Sequence, residues 1–362
     1  MKTLFIILFC SIVFFMPPLA RASGNCETYK AASNQILRDL NDDFTGKAGF
    51  VVALACDGKL ISHLEVGDAV IGKEKLRMDT PIYLASLAKQ FTAALALQLV
   101  EEGVLSLDDS PTKFLDNLPN SYRKVTLWHL LTHTSGIPDY FSIAEEKGLD
   151  IRNNADVYHL MISDGKLDFA PGTDVAYSNS AFVLIAEMIE VATGQGYGYL
   201  LNERIFKPLK MELAWVNEPG TKGLSPTAMG YETTDQGLIE TTVLRQTYGA
   251  GGIFMTMDDY LKWDRELIKG KILSEFVRAK MLEPATLSSG DLTPFSPGWI
   301  AGEIGGGILV GKNVQQAFGD LGGYRAGVRR FPKYGLTLVW FANNGVHLFD
   351  ADIAEKILVD ED

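Results

Sequence analysis

Cysteine and basic residues are both scarce in this chain of 362 residues, and each scarcity argues against a class of protein. Its three cysteines, Cys10, Cys26 and Cys56, lack the short spacing of a structural metal cluster. Lysine and arginine number 33 against 45 acidic residues, which gives a net charge of −12. Such acidity disfavours nucleic acid and anionic membranes, so we expect neither as a partner.

A long apolar run occurs at the N-terminus, from Leu4 to Met16, and its length of about 13 residues is too short to cross a bilayer comfortably. Lys2 precedes this run, and Pro17-Pro18-Leu19-Ala20-Arg21-Ala22 follows it with an Ala-x-Ala exit. This layout is typical of a secretory signal peptide. We therefore expect residues 1–22 to be removed and the rest to be exported, periplasmic or secreted, with no membrane span left; an uncleaved anchor is the alternative.

Strand patterns occupy both ends of the remaining chain, and helical patterns lie between them. Asp57-Gly58, between two apolar runs, predicts the turn of a β-hairpin over residues 49–64. Helical patterns dominate from about 84 to 240. Further strands are predicted over 298–304, 308–310, 326–331 and 336–341, and further helices over 28–42 and about 349–358.

This arrangement predicts an α+β protein in which an antiparallel sheet, flanked by helices, carries an inserted and mainly helical lobe. Residues 23–362 exceed the length that one hydrophobic core usually serves, so two lobes are expected. The sheet lobe is placed at about 23–83 and 245–362, and the helical lobe at about 84–244. Cys26 and Cys56 could pair in an oxidising compartment, and two free thiols fit the sequence equally well.

The segment Ser86-Leu87-Ala88-Lys89 stands at the head of an apolar, Ala/Leu-rich helix. Side chains three apart on a helix share one face, so Ser86 and Lys89 can meet there. A serine hydroxyl needs a base to become a nucleophile, and a desolvated lysine with a lowered pKa can be that base. Taken alone, the pair is better explained as an ordinary helix start and a solvated lysine.

Tyr177-Ser178-Asn179 precedes a second helical pattern, over residues 182–192, and supplies the missing partners. The phenol of Tyr177 is a second possible proton carrier, and the amide of Asn179 can donate to a substrate carbonyl. The alternatives are a core aromatic at Tyr177 and a helix cap at Asn179.

With these two motifs in this order, the chain resembles the serine beta-lactamase / D-Ala-D-Ala carboxypeptidase superfamily. It is most similar to the class C-like branch, which also holds esterases and D-amino peptidases. The resemblance covers most of residues 23–362. The other segments that carry it are 130–138 (LLTHTSGIP), 171–179, 205–211, 251–259 and 322–332.

The resemblance implies a role for each motif residue. Ser86 would attack a carbonyl and become acylated, Lys89 and Tyr177 would exchange the proton, and Asn179 would hold a substrate amide. No cofactor or metal is implied, and the expected partner is a small-molecule or peptide substrate.

The third element of the family, usually His or Lys, any residue, then Gly, falls at Ala317-Phe318-Gly319, where Ala317 replaces the basic residue. The resemblance implies that Gly319 and Asp320 line the substrate site. The backbone N–H of Asp320 would face that of Ser86 to form an oxyanion hole. Backbone donors do not depend on side-chain identity, so the oxyanion hole can persist without the basic residue.

Two function hypotheses follow. The first is an exported serine hydrolase that forms an acyl-enzyme on an ester, amide or beta-lactam carbonyl. The second is a non-catalytic, penicillin-binding-like relative that binds a peptide or cell-wall fragment, its activity impaired by Ala317. Retention of Ser86, Lys89, Tyr177 and Asn179 together favours the enzyme.

Two other motifs favour structure over function. Gly306–Lys312 fits the start of a phosphate-binding loop, but Asn313 replaces the required Ser or Thr, so a hairpin turn is the better interpretation. His129 and His133 lie four apart, yet no Glu sits between them as in a zinc protease, and a packed helix is expected.

Overall fold

The structure, a computed structural model, describes residues 26–41, 47–223, 227–235, 237–241, 245–303 and 313–344. Its helices are α1 (Cys26–Asn41), α2 (Lys89–Glu101), α3 (Leu127–Leu131), α4 (Tyr140–Lys147), α5 (Asn154–Asp164), α6 (Asn179–Thr193), α7 (Tyr197–Leu201), α8 (Met257–Lys269) and α9 (Glu275–Met281). Its strands are β1 (Phe50–Cys56), β2 (Lys59–Val66), β3 (Asp68–Val70), β4 (Glu74–Lys75), β5 (Ile82–Tyr83), β6 (Trp215–Val216), β7 (Gly230–Thr234), β8 (Gly237–Thr241), β9 (Ile253–Met255), β10 (Phe295–Ser296), β11 (Trp299–Glu303), β12 (Asn313–Leu321), β13 (Tyr324–Phe331) and β14 (Leu336–Ala342).

Strands from both ends of the chain form one antiparallel sheet in the order β10-β11-β12-β13-β14-β1-β2. The two ends meet where β1 pairs with β14, in a register that sets Ala53 opposite Val339. The predicted α+β class, an antiparallel sheet with helices, is confirmed.

The β1–β2 hairpin turns where the sequence predicts it. Asp57 and Gly58 both have positive φ, 50° and 72°, as a type I′ turn requires, and this turn matches the twist of the strands. Alternate residues of β1 point to opposite faces of the sheet and enter two different cores, so β1 is buried along its whole length.

The larger core lies on the face of the sheet that carries Val51 and Ala53, and α2 runs through it with every residue from 89 to 97 buried. The smaller core lies on the opposite face, where α1 covers Phe50 and Val52. A disulfide between Cys26 and Cys56 ties α1 to β1, with 5.8 Å between the two Cα atoms. The pairing that the sequence left open is therefore present.

Three features predicted from the sequence lie outside the described residues, and a fourth differs in part. The signal peptide at 1–22, the strand at 308–310 and the helix at 349–358 lie outside the described residues. The predicted helical region includes short strands as well, β6 and the β7–β8 hairpin. In the part of the chain that is described, no helix combines the length and apolar character needed to cross a bilayer.

Candidate active site

Ser86 lies on a tight turn between β5 and α2. A single 3₁₀ turn, Ala85–Ala88, carries the serine, and α2 begins directly after it with Lys89. Ala85 has a φ of +46°, a left-handed conformation that costs a residue with a Cβ about 1–2 kcal/mol. Strain of this kind persists where packing fixes the backbone, and it is found mostly at functional sites. The turn therefore marks Ser86 as a candidate functional residue.

The amine of Lys89 is buried among three polar atoms. Only 3% of the residue is exposed, and Nζ lies 3.1 Å from the Oγ atom of Ser86. Nζ also donates to Asn179 Oδ1 and to the carbonyl oxygen of Ala250, each at 2.7 Å. Burial lowers the pKa of Lys89 to about 7, although the carboxylate of Asp139 opposes that shift.

The phenol of Tyr177 contacts the same serine. Its hydroxyl lies beside the side chain of Ser86 in the same cleft, and Nζ of Lys89 lies 4.9 Å from its ring centroid. Burial raises the pKa of Tyr177 although the nearby Ser86 side chain opposes that shift, so the phenol stays protonated at neutral pH. Although the hydroxyl lies inside the crevice, 40% of the residue is exposed, which leaves the ring accessible to a ligand.

Asn179 is the first residue of α6, and Asp139 fixes its orientation. One carboxylate oxygen, Oδ2 of Asp139, accepts hydrogen bonds from both the backbone N (2.8 Å) and Nδ2 (2.7 Å) of Asn179. The amide oxygen therefore points toward Lys89. Ser178, rather than Asn179, caps the helix, because its side chain accepts the N–H of Ala181.

Sequence reasoning did not identify Asp139 or Ala250. Asp139 directly follows the LLTHTSGIP segment and caps α4 through the N–H of Phe141, which is the sequence signal that could have found it. The carbonyl of Ala250 lies 161 residues from Lys89 in the chain and has no side-chain signature.

The ring of His133 packs against the ring of Tyr177. The two rings stack with 4.5 Å between centroids, and Nδ1 of His133 accepts the N–H of Ser178 at 3.1 Å. Burial and the nearby Lys89 lower the pKa of His133 to about 3, so the ring is neutral at pH 7. Nδ1 of His129 accepts a different N–H, that of Thr126. Each histidine thus has a local structural partner.

Within the described ranges, a cluster compact enough for a metal ion consists of Cys26, Cys56 and Asp57. Both of its sulfur atoms are joined in the disulfide. A disulfide sulfur is not a thiolate ligand, so the donor set reduces to a single carboxylate.

Strand β12 approaches the Ser86 turn closely enough that only glycine fits at position 319. A Cβ on Gly319 would lie 2.0 Å from the carbonyl oxygen of Leu84 and 2.9 Å from the backbone N of Ser86. The next residue, Asp320, forms an ion pair with its cross-strand neighbour Arg325. The carboxylate of Asp320 is therefore charge-compensated by a guanidinium.

Two clefts meet at Ser86. The Tyr140 cleft is lined by Tyr83, Ala85, Ser86, Tyr140, Phe141, Asn179, Thr247, Ala250, Gly251, Asp320 and Leu321. The Trp299 cleft is lined by Ser86, Lys89, His133, Tyr177, Phe295, Gly298, Trp299, Ile300, Ala317 and Phe318.

All six predicted site residues lie around the Ser86 turn, at one or other of these clefts or, for Gly319, against the turn itself. Lys89 and Tyr177 contact Ser86 directly, and Asn179 reaches it through Lys89. The other two, Gly319 and Asp320, stand on β12 against the turn and at the mouth of the Tyr140 cleft, respectively.

A profile of the Beta-lactamase family matches residues 35–360 of the chain. Penicillin-binding protein 4* of Bacillus subtilis (strain 168) is 27% identical over 312 residues, which cover 81% of this chain and 67% of the relative. A D-aminopeptidase of Brucella anthropi is 28% identical over 305 residues, 82% of this chain and 56% of the relative. The chain thus spans little more than half the length of that aminopeptidase.

Solved structures share the fold over nearly the whole chain. A penicillin-binding protein from Bacillus halodurans superposes with a TM-score of 0.73 at 23% identity, covering 91% of this chain and 97% of its own. A D-amino acid amidase from Ochrobactrum anthropi SV3, complexed with L-phenylalanine, gives 0.72 at 22% identity, with coverage of 92% and 97%. At these identities the likeness describes the fold.

Proposed function

This chain belongs to the Beta-lactamase family, and we propose that it is an exported serine hydrolase that forms an acyl-enzyme on Ser86. The substrate is a small molecule or peptide with an ester, amide or beta-lactam carbonyl. One observation carries the proposal: the Ser86 hydroxyl lies between a buried amine, 3.1 Å away at Lys89, and the phenol of Tyr177.

Residues 23–362 form the hydrolase domain in this proposal, and the crevice lies between its sheet lobe and its helical lobe. Export to a periplasm or to the medium rests on the signal-peptide layout of residues 1–22. The Cys26–Cys56 disulfide supports it, because such bonds persist mainly in oxidising compartments.

The polar contacts around Lys89 can be met by both protonation states of its amine. A neutral amine has two N–H groups and one lone pair, whereas an ammonium has three donors and no acceptor. An ammonium donates to all three acceptors, Ser86 Oγ, Asn179 Oδ1 and the Ala250 carbonyl. In the neutral amine two N–H groups still serve Asn179 and Ala250, and the lone pair faces the hydroxyl of Ser86. With a pKa of about 7, about half of the molecules hold Lys89 in this form at pH 7.

Acylation begins when the Ser86 proton moves to Nζ of Lys89 and Oγ bonds to the substrate carbonyl carbon. The carbonyl oxygen becomes an oxyanion, to which the backbone N–H groups of Ser86 and Asp320 donate. Each such donor is worth roughly 10²- to 10³-fold in rate. The closeness of Gly319 to the Ser86 turn supports this assignment.

The leaving group then departs with a proton from Tyr177, and Tyr177 recovers one from the Lys89 ammonium. The raised pKa of Tyr177 supports a role as neutral donor, because the phenol keeps its proton until the bond to the leaving atom breaks. Water next attacks the Ser86 ester, its proton returns through Lys89, and the acid is released with Ser86 regenerated.

Ala317 is the residue that favours a second candidate function, that of a relative that binds a peptide or cell-wall fragment without turning it over. The position that carries a cation in the resembling family is here a buried alanine. The hydrogen-bonded Ser86–Lys89–Asn179 chain favours the enzyme, since a pure binder has no need for a desolvated amine beside a hydroxyl.

Labelling with a fluorophosphonate and with a penicillin, followed by peptide mass spectrometry, tests the proposal. We expect an adduct on the Ser86 peptide of the wild type and none in Ser86→Ala. Ser289→Ala, a change at a serine in an exposed turn, is the matched control and should label normally. Undiminished labelling of Ser86→Ala would refute the nucleophile. Absence of any wild-type adduct across esters, D-amino peptides and nitrocefin would favour the binder.

A further inference from the structure

The Trp299 cleft presents a mainly apolar wall beside the reacting serine. Phe295, Trp299, Ile300, Ala317 and Phe318 line it, but the ring of Phe318 packs on Trp340 of the smaller core, so the apolar side chains that face the cleft with Ala317 are those of Phe295 and Trp299. Ala317 is 6% exposed and Trp299 2% exposed, so packing fixes these two side chains, whereas Phe318 is 38% exposed.

The polar groups in this cleft offer little to a negative charge. Burial and the proximity of Lys89 lower the pKa of His133 to about 3, so its ring carries no charge at neutral pH. The amine of Lys89 already donates to Asn179 and to the Ala250 carbonyl. Among the described residues that line the cleft, Lys89 is the one lysine or arginine.

Two arginines of β13, Arg329 and Arg330, pack on aromatic rings next to the cleft and have polar partners there. The guanidinium of Arg330 lies 5.7 Å from the ring centroid of Trp299 and is ion-paired, at 3.1 Å, with the buried carboxylate of Asp264. Arg329 lies over the ring of Phe318 at 5.6 Å, and its Nε donates to Gln316. Neither guanidinium lines the cleft.

The positions of the proton carriers assign this cleft to the leaving group. Lys89 and Tyr177 both line the Trp299 cleft, and neither lines the Tyr140 cleft. Because the leaving atom must collect its proton as the bond to the carbonyl carbon breaks, it departs on the side of the proton carriers. The acyl group then lies toward the Tyr140 cleft, with Asn179.

We propose that this enzyme selects substrates whose leaving group is uncharged and aromatic or aliphatic, and discriminates against leaving groups that end in a free carboxylate. This inference rests on the proposed hydrolase function and specifies its substrate class. A carboxylate in the Trp299 cleft would lose water and meet no cation except Lys89, whose N–H groups already serve Ser86, Asn179 and Ala250. An apolar group would bury surface against Phe295 and Trp299.

The test is a matched pair of esters, 3-acetoxybenzamide and 3-acetoxybenzoate, which share the acetyl group and differ in the charge of the leaving phenol. With either ester, the bond from Ser86 Oγ to the acetyl carbon forms, the bond to the phenol oxygen breaks, and the phenol takes up a proton. We expect wild-type kcat/KM for the benzamide, normalised to spontaneous hydrolysis, to exceed that for the benzoate by about tenfold or more.

Two variants at one position separate charge from bulk. Ala317→Lys should reduce the preference about tenfold or more by giving the carboxylate a partner, and Ala317→Met, of similar length and uncharged, should keep it. Equal wild-type kcat/KM for the two esters, or equal shifts in the two variants, would overturn the inference and leave the proposed function standing. If neither ester acetylates the Ser86 peptide although the fluorophosphonate labels it, the inference fails and the proposed function stands; if no probe labels Ser86, both fail.

Discussion

Among the single residues of the site, Asp139 has two effects. It aligns the amide of Asn179, and it places a negative charge near Lys89. Asp139→Asn would offer an N–H to donors that need an acceptor, and the Asn179 amide would lose its fixed direction. We expect kcat/KM for acylation to fall about 10- to 100-fold, which is part of the roughly 10²- to 10⁴-fold that a positioned proton carrier contributes.

The same variant should change the pH profile in a defined direction. The carboxylate of Asp139 raises the pKa of Lys89, so its neutralisation lowers that pKa and moves the midpoint of the acylation rate to lower pH. Asp150→Asn, at an exposed carboxylate paired with Arg152, is the control and should leave both rate and midpoint in place. A purely structural role for Asp139 would lower the rate and leave the midpoint unmoved.

The sequence predicted the main side chains of the site better than the groups that hold those side chains in place. Ser86 and Lys89 could be paired from helical spacing, and Tyr177 and Asn179 from the family resemblance, because side-chain identity is what a motif records. Asp139 and the Ala250 carbonyl could not be found this way. Their contacts with Asn179 and Lys89 span 40 and 161 residues, and backbone carbonyls are the same in every residue.

At the level of elements, the close contact between β12 and the Ser86 turn is the feature most sensitive to mutation. Gly319→Ala would place a methyl group 2.0 Å from the carbonyl oxygen of Leu84, so β12 must move away. We expect acylation of Ser86 to slow by about 100-fold or more as an oxyanion donor is displaced. The free energy of unfolding should fall by only about 1–3 kcal/mol, as in overpacked cores.

Gly196→Ala is the matched control for that prediction. Its backbone has an ordinary φ of −64°, and a Cβ there would come no closer than 3.9 Å to Glu190. Acylation kinetics with an activated ester and a thermal melt of both variants provide the measurements. Wild-type acylation by Gly319→Ala would exclude the tight β12 contact.

The sequence predicted some elements better than others, for a physical reason. The β1–β2 hairpin was predictable because Asp57-Gly58 has a strong local preference for its turn. No strand was predicted from the residue pattern of β12, because Gln315, Gln316 and Gly319 interrupt any apolar alternation. The surroundings of β12, between β11 and β13 and against the Ser86 turn, determine its conformation.

For the molecule as a whole, the Cys26–Cys56 disulfide closes a loop that joins α1 to the sheet across a sequence separation of 30 residues. We expect Cys26→Ser/Cys56→Ser to lower the free energy of unfolding by about 3 kcal/mol, since the unfolded chain regains the freedom that the cross-link removes. Denaturant titration of the wild type and the double variant measures this loss, and equal midpoints would contradict it.

Acylation by the folded double variant should match that of the wild type. The disulfide belongs to the smaller core, whereas the Ser86 turn packs in the larger core on the opposite face of the sheet. A large loss of activity at temperatures where the variant is fully folded would show that the two faces are coupled.

The family and the α+β architecture were both predictable from the chain, and both are confirmed. The family was recognisable from the motifs at Ser86–Lys89 and Tyr177–Asn179 with their flanking segments. The architecture was predictable because strand patterns at the two termini leave few ways to pair except with each other. Whether Cys26 and Cys56 pair was not predictable, because it depends on where the first helix lies against β1, and no local pattern encodes that.

The protonation state of Lys89 is the point on which the chemical account depends. The pH dependence of Ser86 acylation by an activated ester, followed by intact mass with Ser86→Ala as the blank, measures it most directly. Because burial lowers the pKa of Lys89 to about 7, the acylation rate should rise with pH, pass its midpoint near pH 7 and reach a plateau above it. A rate that is flat between about pH 5 and 9, or still rising toward the ordinary lysine pKa of about 10.4, would contradict the account.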